Sequence, residues 1–89
     1  MKAVITVIGK DQVGIIADVS AACARFSVNI LEITQSVLDA YFAMIMIAEI
    51  KDLSCSFSDF ADTLSALGKE KNLEIRCMHE DIFSSMHTI

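Results

Sequence analysis

Gly9 and Gly14 bracket Lys10-Asp11-Gln12-Val13 and give the G-x-x-x-x-G spacing of a phosphate-binding loop. A nucleotide-binding version needs Lys and then Ser or Thr directly after the second glycine; this chain has Ile15-Ile16 there, so that chemistry is excluded. A more general property survives. A tight turn feeding a helix N-terminus presents unpaired backbone N–H groups and the positive end of a dipole, which suit a carboxylate. A glycine in the first turn lets a ligand come close to the backbone. The structural alternative, that Gly14 simply packs against a sheet, stays open at this point.

Other groups capable of chemistry do not assemble. Cys23 falls on an apolar helix stripe and Cys77 on the inward parity of a strand, where burial makes a thiol inert. His79 shares a strand face with Cys77 and His87 lies in the tail, but no fourth metal ligand follows at a recognisable spacing. Asp59 and Asp62 stand three apart and read as a solvated acidic helix face, not as an acid/base pair. Met44 and Met46 read as packing. Gln35 and Ser36 are the polar pair of interest, either lining an interface or facing water at a sheet edge. The expectation is therefore no enzyme, no metal and no cofactor.

The elements that must position these residues are legible from periodicity. Lys2 to Ile8 is apolar on both parities and reads as a central strand ended by Gly9. Asp11 is placed to cap a helix with Ile16, Val19, Cys23 and Phe26 along one stripe, stopping near Ser27. Asn29 to Leu38 mixes apolar and polar residues, as a strand near a sheet edge does. Asp39-Ala40 turns the chain into Tyr41 to Ile50, again apolar on both parities and so central. Phe57, Phe60, Ala61, Leu64 and Leu67 define a second helix with Gly68 as its C-cap. Leu73 to His79 alternates as an edge strand with one face buried, and Asp81 to Ile89 reads as one more short helical turn.

This order, βαββαβ, predicts an α+β fold of the ferredoxin-like kind: one domain over residues 1–89, a four-stranded antiparallel sheet in order 4-1-3-2, and both helices on one face. The other sheet face is left to the tail or to another molecule. With 54% hydrophobic residues in only 89, the chain is expected to self-associate as a homodimer. A formal charge of −5 opposes binding to nucleic acid. No apolar run approaches a membrane span, and three widely spaced cysteines suit a reducing, cytoplasmic compartment.

Gly9-Lys10-Asp11-Gln12-Val13-Gly14-Ile15-Ile16-Ala17, followed by Asn29-Ile30, resembles the opening of an ACT domain. The resemblance extends through Ile33-Thr34-Gln35-Ser36 and Tyr41-Phe42-Ala43-Met44 to the small stand-alone ACT proteins of bacteria. It also touches the amino-terminal unit of formyltetrahydrofolate deformylase and the glycine-cleavage regulator. The resemblance implies a regulatory module that binds an amino acid or similar small carboxylate at a dimer interface; the excess apolar surface supports the alternative of an interaction module that pairs with itself or an ACT-bearing partner and binds no metabolite. The implied ligand-binding positions are Asp11, Gln12, Val13, Gly14, Asn29 and Ile30. Asn29 offers an amide donor and acceptor to a zwitterion, or alternatively serves only as a residue tolerant of unusual backbone at a strand entrance. One departure is Phe26-Ser27-Val28, which lacks the glycine usual before the Asn-Ile pair.

Overall fold

A computed structural model describes residues 1–82. The order is β1 (Lys2–Lys10), α1 (Ile15–Arg25), β2 (Asn29–Leu38), β3 (Tyr41–Glu49), α2 (Phe57–Lys71) and β4 (Leu73–His79). The strands form one antiparallel sheet ordered β2-β3-β1-β4, which is the expected 4-1-3-2 arrangement. Residues 80–82 turn helically after β4; the remainder of the expected tail helix lies outside the described residues.

The sheet has a helix side and an outer side because its inward parity carries the core. Ala3, Ile5 and Val7 of β1 meet Ala48, Met46 and Met44 of β3 in register, and all six are at most 1% exposed. Ile15, Val19, Ala22 and Cys23 of α1 and Phe60 and Leu64 of α2 close over them. Phe26 and Phe60 meet edge to face at 5.9 Å, joining the two helices above the sheet. On the outward parity of β1 and β3, which neither helix covers, Ile8, Tyr41 and Ile45 are exposed, Thr6 and Ile47 are partly buried and Val4 is 1% exposed.

The helix ends differ from expectation at two places. Asp11 does not cap α1; it is exposed three residues upstream, and Gly14 is the N-cap with a left-handed φ of 91°. Likewise β1 runs past Gly9 to Lys10, so that glycine ends nothing. Gly68 does not end α2, which continues to Lys71 and closes on Asn72 at φ 59°. The reason for a glycine inside that helix is β4: a Cβ on Gly68 would stand 2.6 Å from the Leu73 carbonyl oxygen.

The C-terminus of α1 shows what the missing glycine costs. Val28 N–H donates to the Cys23 carbonyl at 2.9 Å and Ser27 N–H to that of Ala24 at 3.1 Å, a complete Schellman closure. It forces Ser27 to φ 60°, a conformation that strains residues with a Cβ. Buried Val28 and Cys23 supply the accompanying apolar contact.

Two substitutions test these assignments by thermal unfolding. Ser27→Gly removes left-handed strain and is expected to stabilise the fold by about 1 kcal/mol, or roughly 4 to 8 °C. Gly68→Ala would raise intrinsic helix propensity by about 1 kcal/mol, yet overpacking against β4 is expected to destabilise by about 1 to 3 kcal/mol net. A stabilised Gly68→Ala protein would show that α2 and β4 are not this close.

Candidate functional site

The β1–α1 loop is held at three points. Asp11 N–H donates to the Ala40 carbonyl at the hairpin tip, 2.8 Å away. The Gln12 side-chain amide donates to the Lys71 carbonyl at 2.9 Å, filling an acceptor that the end of α2 leaves unpaired. Lys71 Nζ lies 3.5 Å from Asp18 Oδ2 in the first turn of α1. Asp18 N–H returns to the Gly14 carbonyl at 2.9 Å, starting the helix directly after the left-handed residue. The first α1 turn thus has a fixed position relative to the sheet.

Beside this loop lies a groove of about 490 Å³. Asp11, Gln12 and Gly14 line one wall, Ile15 to Ala17 the helix end, and Gln35, Ser36 and Val37 of β2 the opposite wall above Phe42. Among the described residues no lysine or arginine lines it. An anion in the groove would meet only backbone donors at the helix N-terminus, and an ammonium group would meet the Asp11 carboxylate. A Cβ on Gly14 would find only the Asp18 carboxylate at 3.8 Å, so the position is sterically open and glycine is required by its φ, not by crowding.

The six expected site residues do not all converge. Asp11, Gln12 and Gly14 share the groove, but Gln12 already holds Lys71, and the Val13 side chain is fully exposed outside the lining. Asn29 and Ile30 sit at the opposite end of the sheet. Asn29 is level with Glu49 and Lys2, whereas the loop follows Lys10, which is level with Tyr41. Eight residue steps at ~3.4 Å separate the two ends by roughly 27 Å. Ile30 shares the inward parity of Ala48, and Asn29 the outward parity of Glu49. The Met1 ammonium, hydrogen-bonded at 2.9 Å, holds the Glu49 carboxyl below its usual range. Gln35 and Ser36, singled out in sequence only as a polar pair on a strand, prove to be groove residues.

The thiols and histidine are accounted for by packing. Burial pushes the Cys23 thiol up to about 11; burial and then the nearby Cys23 push Cys77 up to about 12. His79 stacks on Phe57 with ring centroids 4.1 Å apart. At pH 8 both raised thiols are therefore protonated and slow. Iodoacetamide footprinting of the native protein is expected to modify Cys55 first, with Cys23 and Cys77 protected until denaturant is added; native labelling of Cys23 at the rate of Cys55 would contradict this packing.

The chain matches the family model of the ACT domain over residues 2–78. It is 45% identical over 89 residues to a UPF0237 protein of Clostridium perfringens, covering 100% of both chains. It superposes on an ACT domain protein from Streptococcus pneumoniae with a TM-score of 0.81 at 37% identity, covering 100% of this chain and 97% of that one. A putative glycine cleavage system transcriptional repressor shares the fold with a TM-score of 0.70 at 22% identity, over 85% of this chain and 43% of its own. Sequence and architecture together place the chain in the ACT domain family, whose members are regulatory domains.

Proposed function

We propose that this chain is a non-enzymatic regulatory module that binds an amino acid or similar small carboxylate in a site shared between two protomers paired along β2. The observation that carries this reading is the separation of the two halves of the site. The loop and groove lie at one end of the edge strand β2, and Asn29 and Ile30 at the other. An antiparallel two-fold through the middle of β2 brings the partner's Asn29 and the partner's Ile30 beside Val37 and Leu38, at the open wall of the groove. Neighbouring strands lie ~4.8 Å apart, within reach of one ligand.

The edge is suited to such pairing. Nine of the ten β2 residues are exposed, including Leu31, Ile33 and Val37, and Ile30 is partly buried. An unpaired row of backbone donors and acceptors carrying apolar side chains is a template for another strand. In the completed site the carboxylate meets N–H groups of the first α1 turn, the ammonium meets Asp11, and the partner's Ile30 closes the apolar side. Each two-fold pair would hold two such sites, one at either end of the seam.

A second reading, a ligand-free dimerisation module or one that pairs with an ACT-bearing partner, is favoured by one observation: the Gln12 amide is already engaged on Lys71. Thermal unfolding against a panel of amino acids and small carboxylates separates the two. A ligand at 100 times its dissociation constant adds about 2.7 kcal/mol, so a shift of several degrees is expected. Gly14→Val and Asn29→Ala homodimers are each expected to lose the shift. Their co-refolded mixture is expected to recover part of it, because a mixed dimer has one site carrying both substitutions and one carrying neither. A recovered shift proves a shared site; a panel with no shift for any compound moves the assignment to the ligand-free module.

A further inference from the structure

We propose that the outer face of the sheet, at the end where Val4 lies, is the docking surface of this chain's own C-terminal segment, residues 83–89. The segment crosses the row formed by Met78, Val4 and Ile47 and leaves the far end of the face open to an outside partner.

The face closes by degrees along the strands. Three rows of outward side chains cross β4, β1 and β3 in register: Glu74, Ile8 and Ala43; then Arg76, Thr6 and Ile45; then Met78, Val4 and Ile47. All of the first row is exposed, Ile8 at 54%. In the second row Thr6 is partly buried between exposed neighbours. In the third, Met78 and Ile47 are partly buried and Val4 is 1% exposed. Side chains stand roughly perpendicular to a sheet, so flanking residues of one row wall a valine in without roofing it. The roof is not the core, because α1 and α2 lie on the opposite face and Val4 stands outside the cluster beneath them.

The direction of the gradient selects the occupant. Burial rises toward the end where the chain leaves β4: Met78 belongs to the closed row, His79 pairs with Ala3, and residues 80–82 turn helically directly afterwards. The next residues of the chain therefore start beside the closed row. From β4 across β1 to β3 is two strand spacings, about 10 Å. Seven residues span about 10 Å as a helix and more when extended, so residues 83–89 reach across all three side chains. Ile8 lies four residues farther along β1, roughly 13 Å away, which accounts for a face closed at one end and open at the other.

The chemistry of the segment matches the row. Phe83-Ser84-Ser85-Met86-His87-Thr88-Ile89 contains no Asp, Glu, Lys or Arg, so no carboxylate, ammonium or guanidinium has to be desolvated above Val4. Phe83, Met86 and Ile89 recur every third residue, the spacing that sets neighbours on one side of a helical segment, with the serines and the threonine left for water. Docking them over Met78, Val4 and Ile47 buries apolar groups on both sides of the contact. The outer face then has two parts: a closed end beneath the segment, and an open end carrying Ile8, Tyr41 and Ile45.

The test is iodoacetamide labelling of two variants of the full chain, Val4→Cys beneath the proposed cover and Ile8→Cys on the open end, with Cys55 as internal standard. Val4→Cys is expected to label slowly at every protein concentration, and Ile8→Cys at about the rate of Cys55. Ending the chain after Ile82 is expected to speed labelling of Val4→Cys by at least roughly tenfold, as for a site that no longer needs local opening, and to leave Ile8→Cys unchanged. In case the shortened chain folds poorly, Phe83→Ser with Met86→Ser in the full chain is expected to give the same acceleration. Fast labelling of Val4→Cys in the full chain, or protection that survives both changes, overturns the proposal. Protection that disappears on dilution also overturns it, because the cover would then be a second copy.

Discussion

Among the described residues, two helices of 11 and 15 residues must cover a sheet of four strands, and they are too few to do so. Helices pack about 10 Å apart and strands about 4.8 Å apart, so one layer of two helices shelters the central pair and one neighbour at best. α2 settles along β4, bringing Gly68 close enough to Leu73 that no side chain fits between them. α1 lies beside α2, and its start approaches β2 across the groove. The inner side of β2 beyond Ile30 is largely uncovered as a consequence, and Ile33 and Val37, which point toward the helix side, remain exposed. The groove and the open edge both follow from this one shortfall of cover.

The same constraint explains why the loop between β1 and α1 is tied so carefully. Its anchors are the hairpin tip, through Ala40, and the end of α2, through Lys71. Individually they are modest: a hydrogen bond contributes about 0.5 to 1.5 kcal/mol net, and the half-exposed Lys71–Asp18 pair about 0 to 1 kcal/mol. Their value is positional. The first turn of α1 is fixed before any ligand arrives, so binding does not have to pay again for ordering it. Left-handed Gly14 is what turns the chain from this anchored loop into the helix.

Much of this was legible in the sequence because burial imposes a period. β2 and β4 have the expected boundaries, the strand order follows from which strands are apolar on both parities, and Cys23 and Cys77 lie where the stripes put them. The errors share a cause. Asp11 and Gly68 are good local signals for caps, but the actual ends were decided by partners distant in sequence, Ala40 and Leu73. The outward apolar row of β3 was left to the tail or to another molecule, and neither helix covers it: Tyr41 and Ile45 are exposed. The sequence also joined the loop to Asn29 as one motif. It carries no signal that nine strand residues lie between the level of the loop and the level of Asn29 within one chain.

That separation sets how a module of this design can regulate anything. The core beneath the helices is closely packed, with six central β1 and β3 side chains at most 1% exposed, and it offers no second arrangement for a ligand to select. A ligand shifts only an equilibrium in which it binds the two states differently. On the proposed reading that equilibrium is association, because each protomer alone holds half of the site. Ligand affinity and dimer affinity are then reciprocal by linkage: a factor gained by one is gained by the other. The signal passed to a target would be a change in quaternary state, with the fold of each protomer left as it is.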